Sequence, residues 1–295
     1  MSAPQQITTP YVPPARPVLI AGNGGLPKLM LRSRDGASAE VYLHGGQVTS
    51  WLPAGESEDR LFLSESARFQ EGEAIRGGVP VIFPQFGAEG RLPRHGFARA
   101  TEWGLLHARE TAAGAASVTL QLTDSRASWA LWRHRFSLEL TVTVQARNLD
   151  MRLTVVNDGR KPFRFTGALH TYLRVRELTE VSVEGLEGCR FKNQLSGDEQ
   201  LEQAGELRIP AELDRIYFKP PQRLRLNEPG RSLEIACSGF TDTVVWNPGP
   251  VQAARMEDLE AGGDRHMLCL EPAVIAEPVW LPPGAAWVGT QRLSA

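Results

Sequence analysis

The segment "FSLELTVTVQ" sets Phe136, Leu138, Leu140, Val142 and Val144 on one side of an extended chain. Ser137, Glu139, Thr141, Thr143 and Gln145 fall on the other. "LDMRLTVVND" repeats the pattern at Leu149, Met151, Leu153 and Val155, after the short connection "ARN". A helix returns to one face only every ~3.6 residues, so period two selects strands with one buried face. A connection this short suits an antiparallel hairpin. Comparable runs are "AEVYL", "QVTSW", "SVTLQL", "FRFTGALHTYLRV", "EVSVEGL", "SLEIACS", "TDTVVWN", "HMLCLEP" and "WVGTQRLS", with Gly, Pro, Asn and Asp between them. Helical patterning is confined to "SRASWALW", with Asp124 as its cap, and "VQAARMEDLE", with Val251, Ala254 and Leu259 on one side and "GG" as its stop. The sequence therefore predicts an all-β chain, a large antiparallel β-sandwich with few short helices. Residues 19–295 form this single unit, and residues 1–18 form a Pro-rich arm, extended or disordered.

With 295 residues and a formal charge of −2, the chain has no global basic bias toward nucleic acid or membrane surfaces. It carries neither a secretory leader pattern nor an apolar run of the ~18–20 residues needed to cross a bilayer, so a cytoplasmic protein is expected. Its three cysteines, Cys189, Cys237 and Cys269, lie far apart in segments that read as strands, with no metal-ligand spacing. An odd number of thiols fits a reducing compartment. P-loop, dinucleotide-binding, HExxH and nucleophile-elbow patterns are absent, so no nucleotide, metal or covalent serine mechanism is indicated.

Five stretches could carry chemistry. In "RLPRHGFARA", Arg94 and Arg99 flank His95 and Phe97. An extended chain would point His95, Phe97 and Arg99 one way. Two guanidinium forks from separate loops, Arg76 in "IRGGVPVIFPQFG" and Arg99, would suit a dianion. Equally, Arg76 could be an exposed residue beside a turn, and Arg99 could stack on Phe97 or Trp103. His170, in "TGALHTYLRV", shares a strand face with Thr166, Ala168 and Tyr172, which fits either a sugar-binding surface or a structural histidine. Glu271 closes the strand "HMLCLEP" on the face of Met267 and Cys269, either desolvated or simply meeting water. Asp214 in "ELDRIYF" could accept sugar hydroxyls or form a turn.

Taken in order, "RGGVPVIFPQFG", "LPRHGFAR", "ALHTYLRV", "DRIYF", "VVWNPG", "MLCLEPA" and "LPPGAAWVGTQ" make the chain from Ala39 onward resemble the glucose-6-phosphate 1-epimerases, the hexose-6-phosphate mutarotases of the aldose-1-epimerase superfamily. The resemblance implies a galactose-mutarotase-like sandwich. It implies a monomeric, cofactor-free enzyme that interconverts the α and β anomers of aldohexose 6-phosphates. It implies catalytic roles for His170 and Glu271 and substrate binding by Arg76, Arg99 and Asp214, with His95 in the same pocket and Arg94 beside them as a further candidate. Two opposed groups would open the hemiacetal: Glu271 takes the proton of the C1 hydroxyl, His170 gives one to the ring oxygen, and the roles reverse on closure. The rivals are an aldose 1-epimerase for unphosphorylated sugars, which has no need of the arginine pair, and a non-catalytic sugar-phosphate binder, which has no need of both His170 and Glu271. A glycoside hydrolase built on Asp214 and Glu271 would leave His170 idle.

Overall fold

Alternating side chains are paired into strands much as the period-two pattern requires. In the computed structural model, which describes residues 17–198, 201–209 and 211–295, Ser137–Gln145 and Asn148–Val156 form a hairpin in unbroken register. Its turn is the pair Ala146 and Arg147. Leu138, Leu140, Val142, Val144, Leu149, Met151, Leu153 and Val155 are all buried. On the polar face, hydroxyl pairs link Ser117 to Thr143 and Thr119 to Thr141 across neighbouring strands.

This hairpin lies within a nine-stranded sheet that runs from Leu207–Arg208 at one edge to Gly104–Glu110 at the other. A four-stranded sheet is built from Val18–Ala21, Pro27–Arg32, Ser38–Tyr42 and Val48–Leu52. An eight-stranded sheet has Leu213–Phe218, Asp242–Asn247, Met267–Leu281 and Phe163–Leu169 as successive neighbours, with Val81–Ile82 at its edge. One core joins all three, including Leu29 and Trp51, Leu140, Leu153 and Leu293, and Leu169, Val245, Leu268 and Leu270. Burying one such side chain contributes ~1.5–3 kcal/mol, so turning a whole face outward is prohibitive and the register is fixed.

The same parity builds the opposite face of the eight-stranded sheet. Leu268 and Leu270 enter the core, while Met267 and Cys269 join a smaller cluster with Phe62, Tyr172 and Leu259. Val245 points inward, and Val244 packs outside with Ile82, Ala168, Ile216 and Ala273. Trp246 packs against both outer clusters.

Several local expectations change. Helix Arg126–Leu131 is capped by Ser125 rather than Asp124, through a reciprocal pair of hydrogen bonds with Ser128. The second helix is only Gly249–Ala253, and Val251 is exposed on it. Beyond Ala253 the backbone tightens: Arg255 and Met256 donate to carbonyls three residues back, and Leu259 turns into the smaller cluster. Cys237 and Cys269 lie in strands, whereas Cys189 sits in a turn with its N–H on the Leu186 carbonyl. Residues 1–16 of the expected arm lie outside the described residues, and Val18 already begins a strand paired with Pro27–Arg32.

Candidate active site

Strand Phe163–Leu169 stops before His170, and the chain resumes pairing at Tyr172–Arg174 against Met267–Cys269. Thr171 anchors the break: its hydroxyl donates to Gln291 Oε1 at 2.6 Å, and its carbonyl accepts from Leu270 N–H. With Thr171 held inward, His170 and Tyr172 both face out, and their rings stack 4.8 Å apart with planes 9° from parallel. Glu271 lies opposite Val244 in the interior of Met267–Leu281, not at a strand end. It does not meet bulk water, being 1% exposed. His170 Nδ1 and Glu271 Oε1 are 3.3 Å apart.

The arginine segment is a tight loop instead of an extended chain. His95 takes φ 67° and Gly96 φ 71°. Gly96 passes so close to Phe83 that a Cβ would lie 2.1 Å from the Phe83 carbonyl oxygen. The positive φ values break the expected parity: Phe97 packs into the core against Phe83 and Phe136, while His95 and Arg99 face the cavity. Trp103 is pinned from the other side by its indole N–H on the Ala98 carbonyl. Arg99 stands on the single turn Ala98–Ala100 and donates to the Arg94 carbonyl at 3.1 Å. His95 Nδ1 accepts the Gly87 N–H, which leaves Nε2 as the protonated nitrogen of the neutral ring. The ring stands edge-to-face to His170, 5.6 Å between centroids.

All seven residues singled out in the sequence, Arg76, Arg94, His95, Arg99, His170, Asp214 and Glu271, line one cavity of about 470 Å³, within the range of small-ligand sites. Arg76 is already partnered. It donates to Asp258 Oδ2 at 3.0 and 3.2 Å and to the Tyr172 hydroxyl at 2.9 Å. Arg94 and Arg99 make no ion pair among the described residues. Phe86, Gln194, Trp246 and Gln252 also line the cavity. Phe86, Trp246 and Gln252 stood in quoted stretches, though none was singled out as a site residue. Gln194, in "FKNQLSG", carries no pattern that could have marked it, and Asp258 was one of several acids crowding 251–277.

Burial dominates the titration of this site. It pushes Glu271 well above the usual carboxylate range, reinforced by Asp214 and opposed by Arg99 and Arg94. It holds His170 well below the ordinary imidazole value, helped by His95, Arg99 and Arg76. Burial and then Arg99 lower His95 to about 3. Burial raises Asp214 to about 6 against the pull of Arg94. Burial thus favours the uncharged form of both partners. Reference values alone, ~4.3 for Glu and ~6.5 for His, suggest the opposite.

An imidazole and a carboxyl side by side can exchange protons with two oxygens bonded to one carbon. The C1 hydroxyl and the ring oxygen of a pyranose are such a pair. Neighbouring catalytic groups therefore suffice, and opposed ones are not required.

A solved structure described as that of a putative mutarotase from Salmonella typhimurium superposes with a TM-score of 0.84 at 27% identity, over 94% of this chain and 96% of that one. The fold and site define a sugar epimerase, an isomerase that interconverts anomers. The aldose 1-epimerase family model matches residues 27–294, and the chain belongs to that family. A protein of Cenchrus ciliaris named "Putative glucose-6-phosphate 1-epimerase" is 36% identical over 287 residues, 94% of this chain and 87% of the relative. One of the same name from Escherichia coli is 36% identical over 244 residues, 81% of this chain and 80% of the relative.

Proposed function

We propose that the substrate is an aldohexose 6-phosphate, glucose 6-phosphate in the first instance, and that His170 and Glu271 carry the proton transfers. The observation that carries the phosphate assignment is the pair Arg99 and Arg94. Both guanidinium groups line the cavity without an acidic partner among the described residues, whereas Arg76 is neutralised by Asp258. A neutral sugar offers such cations hydroxyl acceptors but no compensating charge, while a phosphate dianion satisfies them bidentately. The names of the curated relatives point the same way.

In this mechanism Glu271 takes the C1 hydroxyl proton as His170 protonates the ring oxygen, the open aldehyde rotates about C1–C2, and each group returns what it took. Both pKa shifts serve this direction: a raised carboxyl is a stronger base as carboxylate, and a lowered imidazole is a stronger acid as imidazolium. The free site favours the neutral tautomer, so the charged pair must be reached after binding. A phosphate on Arg99 cancels one of the cations that hold His170 neutral, so the substrate itself favours the imidazolium. Asp214 and the His95 Nε2–H supply an acceptor and a donor for ring hydroxyls. The non-reacting phosphate contributes orientation.

The test is NMR exchange between the anomers of glucose 6-phosphate, with glucose as control. The wild type accelerates the phosphorylated sugar preferentially, and Arg99→Ala removes that preference. Equal rates on both sugars, or equal losses on both in the variant, identify an aldose 1-epimerase for unphosphorylated substrates instead.

A further inference from the structure

The site holds one group that mutarotation does not use. Cys269 lies two residues before Glu271 on the same strand face, fully buried, with Tyr172 as its cross-strand neighbour. One ligand atom each from His170, Cys269 and Glu271 all lie within 4.8 Å of one another. We propose that these three residues form an inhibitory binding site for a soft divalent cation, Zn²⁺ above all, at the floor of the cavity.

A tetrahedral zinc ion with Zn–N and Zn–S bonds of ~2.0–2.3 Å needs its ligand atoms ~3.4–3.8 Å apart. Rotamer adjustments of an ångström or so close the triangle. Two of the three groups need partners. His170, 7% exposed, has a buried Nδ1 without a hydrogen-bond partner, because its 3.3 Å approach to Glu271 is not aligned for one. Glu271, 1% exposed, has the same deficit at Oε2. A cation satisfies both atoms at once. The set of one imidazole, one thiolate and one carboxylate suits zinc, cobalt or cadmium and disfavours magnesium and calcium, which require oxygen. Thiolate and carboxylate together neutralise the ion, and the Cys269 thiol proton and the Glu271 carboxyl proton leave to solvent on binding. Asp214 adds favourable charge, whereas Arg99 and Arg94 oppose it. Arg76, paired with Asp258, opposes it less. His170 and Glu271 also line the open cavity, which gives the ion a route in. The ligands come from separate segments, so metal-ligand spacing in the sequence could not reveal them.

The binding half of this proposal stands on geometry, and the inhibitory half rests on the catalytic reading of His170 and Glu271. The experiment titrates the full chain with Co²⁺, followed by near-ultraviolet thiolate-to-cobalt charge transfer, and measures mutarotase rates with Zn²⁺ before and after EDTA. Expected are a saturable charge-transfer band displaced by Zn²⁺, loss of rate restored by EDTA, and no effect of Mg²⁺. In Cys269→Ala, which keeps Cys189 and Cys237, the band disappears and half-inhibition needs at least ~10-fold more Zn²⁺. Cys269→Ser tests the same point with a side chain nearer in size. A wild type without the band, or the same band or Zn²⁺ response in Cys269→Ala and Cys269→Ser, overturns the site. If the band forms but the rate is unchanged, the inhibitory claim falls together with the catalytic roles of His170 and Glu271. A missing band alongside inactive His170→Ala and Glu271→Gln variants removes the metal site alone.

Discussion

At the scale of single residues, two side chains 3.3 Å apart carry the proposed chemistry. His170→Ala and Glu271→Gln are each expected to lower kcat by ~10²–10⁴, the usual worth of a general acid or base, with the thermal transition within a few degrees of wild type. A retained rate in either removes that residue from the mechanism. Asp214 gives a separate expectation. It is neutral below its value of about 6 and a carboxylate acceptor above it, so kcat/KM rises as pH passes upward through that value. Glucose is the substrate for this measurement, because a sugar phosphate titrates near ~6 itself. Asp214→Asn flattens the rise, and an unchanged profile assigns it to another group. Residue types and their order in the sequence were enough to nominate all seven cavity residues. Their mutual charges were not legible. The downward shift of His170 and the capture of Arg76 by Asp258 depend on burial and on a partner 182 positions away.

At the scale of elements, strands were readable because period two is a property of neighbouring residues, visible in any short window. Loops were less so. Nothing in "RLPRHGFARA" announces that His95 and Gly96 take positive φ, and assuming an extended chain put Phe97 on the wrong side. The cap of the first helix was misplaced by one residue because Asp124 and Ser125 are both good caps, and the choice fell to the reciprocal bond with Ser128. The arginine loop also makes an expectation. In Gly96→Ala the new Cβ meets the Phe83 carbonyl, on a backbone already at φ 71°. The variant should lose ~1–3 kcal/mol of stability in urea unfolding and show a raised KM for glucose 6-phosphate, since His95 and Arg99 flank Gly96 in the same loop. Wild-type values for both would mean that the loop yields freely.

At the scale of the whole molecule, binding and stability are linked. Glucose 6-phosphate at ~100 times its Kd should stabilise the fold by ~2.7 kcal/mol. Glucose at the same concentration should do less, and Arg99→Ala should lose most of the difference in a thermal-shift assay. Identical shifts for the two sugars would argue against a phosphate subsite. The sandwich itself was foreseeable from many short alternating strands. Its division into three sheets, with the cavity on the outer side of one, was not, because sheet membership depends on contacts between distant segments. One consequence follows from the strand that bears Glu271. Its even and odd positions serve different masters, the main core on one side and the outer clusters and the cavity on the other. Loss or gain of a single codon there would put a leucine into the cavity and a carboxyl in the oil. Descent can therefore exchange letters in this stretch but can scarcely change its length.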